Sequence, residues 1–306
     1  DIRESIQAKL KAFTSQVLDE PSFDFFAALG YESNKRLRLK NSSFEGFKTQ
    51  FSKAQETNPE RALAHQWSAV HFLYQLTDDE VGKAIGFGQE DIFASSGQVD
   101  DQRIESYLFF AIDLKAKQDG NAYTRTELSN ATRALNRIFP MPVMVLFRHG
   151  DTISLGIINR RLHKRDASKD VLEKVTLVKD ICYSDPLRAH IEILRDLSIG
   201  SLYDEYKFTN FVGLHHAWEK RLGTYALNER FYREISDWYF AALQNPAVSM
   251  PRSIEELKDT VERDKQRSLF FIRLLTRLIF CWFLQEKGLI PRDLFRERIM
   301  KKWLKN

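Results

Sequence analysis

From residue 104 the apolar positions fall on every second residue. Ile104, Leu108, Phe110, Ile112 and Leu114 share one side of IESYLFFAIDLK, with Ser106 in the same series. A period of two predicts a strand over 104–115. Two further runs, 143–148 and 152–159, are joined at Gly150-Asp151, a hairpin-like turn. Residues 174–181 supply another strand, and 91–94 a short one, with a turn over 97–102. Between them, from about 126 to 139, the spacing becomes helical until Pro140 stops it. The order strand, strand, helix, strand, strand predicts a mixed sheet with at least one packed helix.

The flanks carry a different period. Ile2, Ile6, Leu10, Phe13 and Val17 recur at helical spacing until Asp19-Glu20-Pro21 interrupts them. Residues 31–60 are polar, with a basic alternation from Lys35 to Lys40, and 62–76 is expected to be helical. After Ser184-Asp185-Pro186 the pattern is helical throughout, since Ser184 or Asp185 can cap and Pro186 suits a first turn. Ser253 and Glu256 have capping-box spacing and predict a helix running from there to Gly288. The predicted fold is therefore α/β followed by all-α. Its expected parts are an N-terminal helical and irregular segment (1–60), an α/β domain (61–185) and a helical domain (186–306).

Composition narrows the class. With 306 residues, 43% hydrophobic positions and 23 Phe, the chain has ample material for packed cores and is not a disordered polymer. Lys+Arg 46 against Asp+Glu 42 leaves +4, so nucleic-acid binding must come from local patches. Cys182 and Cys281 form no disulfide framework or Cys-x-x-Cys pair, which points to a reducing cytoplasm and away from structural zinc. Asp1-Ile2-Arg3-Glu4 has no apolar signal core. The apolar stretch 269–284 is broken by Arg273 and Arg277 and is shorter than the roughly 20 residues of a membrane span. It is expected to be the most buried helix of its half, surrounded by Phe211, Trp218, Phe231, Trp238 and Tyr239, and no membrane partner is expected.

The candidate chemistry lies at the end of the strand over 104–115. Alternation puts Asp113 and Lys115 on one face, and an acid beside a lysine suits phosphodiester hydrolysis. The carboxylate binds a divalent metal such as Mg²⁺, while the ammonium steadies the attacking water or the developing charge. A metal site needs a second acid. Glu105 is eight residues away, roughly 26 Å along a straight strand, and cannot share the ion. If 97–102 turns the chain back, residues 90–91 fall opposite 112–113 at about 5 Å, so Glu90 or Asp91 would complete the site. An acid opening one hairpin strand and acid-x-lysine ending the next resembles the PD-(D/E)xK nuclease core, as do the helix and strand that follow.

Two basic surfaces accompany this site. Arg125, Arg133 and Arg137 lie within about 120° on one helix, where they are candidates for phosphate contact. The segment NRRLHKRDASK is the densest basic stretch, and its Arg160, Arg161, Lys164 and Arg165 suit contact with a DNA backbone. The histidines are scattered: His215 and His216 point to different helix faces and cannot chelate one ion. No Gly-rich phosphate loop, Gly-x-Ser-x-Gly elbow or Asn-Pro-Pro-Tyr-type methyltransferase motif is present.

Several longer strings, read in order, carry a family likeness. FPMPVMVLFR (139–148), IINRRLHKRDASKDVLEKVTLVKDI (157–181), LNERFYREISDWYFAAL (227–243) and FFIRLLTRLIFCWFLQEKGLIPRDLF (270–295) together resemble the region preceding the methylase in type IIG fused restriction–modification proteins. The likeness covers about residues 60–306. It implies a nuclease-like domain, a helical connector and, after Asn306, an adenine-specific DNA methyltransferase to which S-adenosylmethionine would belong. The implied function is a Mg²⁺-dependent DNA endonuclease module in phage defence, acting on double-stranded DNA. Asp113 and Lys115, with Asp91 as the other metal acid, are the residues carried over. The alternative is a non-catalytic module of the same fold that binds DNA or docks the methyltransferase.

Overall fold

A computed structural model of the chain describes residues 1–86, 105–117, 122–159, 174–287, 289–291 and 297–303. The chain divides into two compact units, 1–223 and 224–306.

The first unit is built on a five-stranded mixed sheet in the order β1-β2-β3-β4-β5. These are β1 (Trp67–Thr77), β2 (Ser106–Leu114), β3 (Val143–His149), β4 (Thr152–Asn159) and β5 (Lys174–Cys182). All neighbours are antiparallel except β2 and β3, which run parallel. The predicted strands 143–148, 152–159 and 174–181 are thus found almost residue for residue. Gly150 takes a left-handed φ of 58° in the β3–β4 turn, a conformation that glycine adopts without penalty.

One prediction is reversed. Residues 62–76, expected to be helical, contain β1 instead. Its residues from Phe72 to Thr77 are all buried, so apolar positions run nearly continuously and the strand period is lost. β1 also changes the register around Asp113. Both edges of β2 are taken, by β1 and β3; the expected pairing with 91–97 falls on residues outside the described ones. Ala69 stands opposite Asp113. Residues 87–104, with Glu90 and Asp91, lie outside the described residues.

β2 is buried on both faces because helices cover each side. Leu108, Phe110, Ile112 and Leu114 enter one core with Leu128, Ala131 and Leu135 of helix α5 (Arg125–Asn136) and with Phe47 and Phe51. Helix α5 crosses over between the parallel strands. It starts in a capping box, where Thr124 Oγ1 accepts from Glu127 N at 3.2 Å and the Glu127 carboxylate accepts from Thr124 N at 2.7 Å. Tyr107, Phe109 and Ala111 enter the opposite core. That core contains Ile6 and Leu10 of α1 (Ile2–Lys11) and Phe25 and Phe26 of α2 (Asp19–Ala28). The short α3 (Phe44–Gln50) and α4 (Asp78–Ala84) flank β1 in sequence.

The same core takes in α6 (Arg188–Asp196), α7 (Ile199–Tyr206) and α8 (Phe211–Arg221) through Ile191, Leu194, Leu202, Phe211, Leu214 and Trp218. α6–α8 therefore belong to the sheet unit, and the division falls at 223/224. Periodicity marks a helix as amphipathic but does not say which surface its apolar side meets. For the same reason the first 60 residues are part of the first unit.

The second unit contains α9 (Thr224–Gln244), α10 (Arg252–Glu255), α11 (Thr260–Glu286) and α12 (Glu297–Trp303). α11 does not open at Ser253. Asp259 caps it, accepting from Val261 N at 2.9 Å and Glu262 N at 3.4 Å. α9 and α11 are antiparallel partners: Trp238 meets Phe271 with ring centroids 6.1 Å apart, and Arg267 Nη2 donates to Leu243 O at 3.0 Å. The expectation of a buried 269–284 fails. Among the described residues of α11, Phe271 alone is buried, while Ile272, Phe280 and Trp282 are 49%, 59% and 54% exposed. Phe211 and Trp218, expected around it, sit in the sheet unit's core against Tyr107.

Candidate functional site

Asp113 and Arg148 are paired residues of the parallel strands β2 and β3. Alternation turns both toward the layer of α1 and α2. Arg148 Nε donates to Asp113 Oδ1 at 3.0 Å and Nη2 to Oδ2 at 2.6 Å, a bidentate fork. Nη1 donates to Phe13 O at 3.1 Å and Ser15 O at 2.5 Å, and Nη2 to Gln16 O at 3.0 Å. All five guanidinium donors are thereby used. Arg148 is 8% exposed, so the group is held away from water and ties the chain after α1 to the sheet.

Lys115 stands just past β2. Its backbone N donates to Gln66 O at 2.8 Å and its ammonium to His65 O at 3.3 Å. The ammonium thus meets a carbonyl, while the Asp113 carboxylate meets a guanidinium. β1, the strand that faces Asp113, contains no acid. Asp19 of α2 approaches β1 instead at His71, with its Oδ2 4.0 Å from His71 Nδ1. Among the described residues no group of three or more His, Cys, Asp or Glu is placed to hold a metal ion. The described donors do not fit the expected Mg²⁺ pair, because Asp113 is its one described carboxylate and already has a cation. Asp91, the other expected ligand, lies outside the described residues.

The basic residues divide likewise. Arg125 opens α5 and is exposed, Arg137 is exposed at its end, and the half-buried Arg133 donates to Asn130 Oδ1 at 3.3 Å. Arg160, Arg161, Lys164 and Arg165 lie outside the described residues.

Sequence reasoning passed over Arg148, His71 and Asp19. The available signal for Arg148 was a single charge inside the apolar run VMVLFR, beside a strand that ends in an acid. Burial lowers the pKa of His71 from its ordinary 6.5, opposed by Asp19 and Asp113 and assisted by Arg148 and Arg38. Burial likewise lowers His190, opposed by Asp180. Such a histidine stays neutral in the fold while the unfolded chain takes up a proton. Its contribution to stability is complete above about pH 6.5 and falls as acid is added down through the lower folded value. Urea titrations are expected to give a lower midpoint at pH 5.5 than at pH 7.5, with most of the difference removed by His71→Gln plus His190→Gln. An equal acid loss in that variant would assign the effect to other groups.

No protein-family model matches the chain, and no curated protein or solved structure matches it.

Proposed function

We propose that the first unit is a nuclease-like module that has lost its metal site and binds double-stranded DNA without cutting it. The observation that carries this reading is the bidentate Arg148–Asp113 pair. A carboxylate that accepts a buried guanidinium on both oxygens already has its charge compensated, so a divalent ion would have to compete with Arg148, and displacing Arg148 would strand three carbonyls as well. Support for the PD-(D/E)xK likeness comes from order and direction: β1 antiparallel to β2, the crossing α5, then β3 parallel to β2, with Asp113-Leu114-Lys115 closing β2. Ala69 at the place opposite Asp113 supports loss of the first acid. In this reading, contact with DNA is through phosphates, with Arg125, Arg137 and the segment carrying Arg160, Arg161, Lys164 and Arg165 supplying charge. Docking of a methyltransferase, as the type IIG likeness implies, is compatible with the same module.

The active endonuclease keeps one observation in its favour. Asp113 lies at the carboxyl end of the parallel pair, where open α/β sheets place their ligands, and its side chain retains 24% exposure. One experiment separates the two. The chain is incubated with supercoiled and linear duplex in Mg²⁺ beside Asp113→Ala, and duplex binding is titrated with salt. Under our reading neither form cuts, and replacing Arg160, Arg161, Lys164 and Arg165 by alanine weakens binding to unrelated duplexes alike. The log–log salt slope then flattens by about one unit for each phosphate no longer neutralised. Mg²⁺-dependent cleavage that disappears in Asp113→Ala would restore the endonuclease.

A further inference from the structure

The basic alternation from Lys35 to Lys40 has no part in the DNA contacts named above. Its segment runs antiparallel along the outer edge of β1, where Gln75 N donates to Lys35 O at 3.0 Å and Val70 N to Ser42 O at 2.7 Å. Leu37 and Leu39 pack against the core that contains Phe47 and Phe51. Arg36, Arg38 and Lys40 alternate with them and are exposed. Lys35 leaves the row, because its buried ammonium donates to Thr77 Oγ1 at 3.0 Å and to the Glu80 carboxylate. Arg36 is held in place, with its guanidinium 4.1 Å from the centre of the Phe23 ring and Nε donating to Ser33 O at 3.3 Å. Among the described residues neither Arg38 nor Lys40 has an acidic partner. Arg38 lies within electrostatic reach of His71, as do Asp19, Asp113 and Arg148. Val70 pairs with Ile112, the residue before Asp113, so the Lys40 end of the row stands one strand from the Asp113–Arg148 pair.

We propose that Arg36, Arg38 and Lys40 form a phosphate-binding track that follows one strand of duplex DNA along the β1 edge, beside the Asp113–Arg148 pair. Alternate residues of an extended chain stand about 6.5 Å apart on one side. Successive phosphates along one strand of a duplex are spaced similarly, so each cation of the row can meet one phosphate. Like charges in such a row repel one another, and a line of phosphates relieves all three. Segment 35–42 carries no aromatic ring on which an unpaired base could stack, which favours a duplex over a single strand. The inference rests on the reading of the sheet unit as a DNA-binding module and deepens it, by assigning the backbone contact to a surface next to α2 and the end of β2.

The test titrates the whole chain against a labelled duplex over a salt series. Arg38→Ala plus Lys40→Ala leaves Arg36 and its ring contact in place and, at exposed positions, should keep the urea midpoint of the wild type. Binding is expected to weaken on the order of 10–100-fold at about 0.1 M salt, with the log–log slope flatter by about two units. Lys40→Ala alone should flatten it by about one. Arg38→Lys plus Lys40→Arg should keep the slope, because counterion release follows charge and not side-chain shape. An unchanged slope in both alanine variants, while the fourfold variant at 160, 161, 164 and 165 flattens it, would overturn the track and leave the DNA-binding module standing. A wild type that binds no duplex would overturn both. Tighter binding to a single strand of the same sequence, or equal binding to poly-glutamate of matched charge, would overturn the track alone.

Discussion

Replacing Arg148 with methionine is expected to lower the unfolding free energy by about 3–5 kcal/mol, the range for removing one partner of a buried ion pair. Methionine keeps much of the side chain's length, so little of the loss comes from a cavity. The loss comes from what the guanidinium leaves behind: a largely shielded Asp113 carboxylate and the carbonyls of Phe13, Ser15 and Gln16. Asp113→Asn alone should cost less, about 1–2 kcal/mol, because the three carbonyl bonds remain. In Asp113→Asn plus Arg148→Met the stranded charge is gone, so the double variant should be more stable than Arg148→Met. Urea midpoints of the four proteins form the cycle. Equal losses in Arg148→Met and the double variant would mean that the carboxylate is comfortable without its partner, and the argument against a metal there would weaken.

Phe109→Ala is expected to cost about 3–5 kcal/mol, as for other large core aromatics. Phe109 is fully buried, and its ring lies 4.7 Å from Tyr74, 5.0 Å from Phe26 and 5.9 Å from Tyr31, so truncation removes the centre of an aromatic group. Three neighbouring rings cannot collapse together to fill the space, which keeps the cavity contribution high. Phe109→Leu should recover most of the loss, since it conserves much of the volume. Thermal unfolding of the two variants reads the difference. A loss below about 1 kcal/mol in the alanine form would place Phe109 in a yielding surface rather than a packed core.

How much of this was legible in the sequence depended on whether a signal was local. β3 and β4 could be read because Gly150-Asp151 fixes their turn and each strand is short and bounded. β2 could be read because Ile104, Leu108, Phe110, Ile112 and Leu114 keep a period of two. β1 was hidden by burial on both sides of its later half, which makes WSAVHFLYQLT as consistent with a buried helix as with a central strand. Misreading β1 also misplaced the partner of Asp113, because register is a property of two strands. Arg148 was invisible as a ligand for the same reason: its acceptors come from residue 113 and from residues 13–16, and no short window contains them. The apolar 269–284 was read correctly as helix and wrongly as interior. Composition reports that a surface avoids water but does not say what covers it.

The strand order of the sheet follows the order of the chain, so each strand pairs only with its predecessor and its successor. Such a sheet can grow from one end as the polypeptide leaves a ribosome, each new strand adding to one already made. The core on the Phe109 side is different, because it joins the two ends of the unit. Arg3 Nε donates to Glu192 Oε1 at 2.8 Å across 189 residues, and Ile199 N donates to Leu29 O at 2.9 Å. Within the unit α1 and α2 are made before the rest, yet wait for α6–α8 to complete the core around them. During that interval Tyr107, whose ring neighbours Phe211 and Trp218 come from α8, is open to other nascent chains. The unit's vulnerability to aggregation thus lies in the time taken to synthesise about 190 residues at roughly 5–20 per second, and not in the stability of the finished fold.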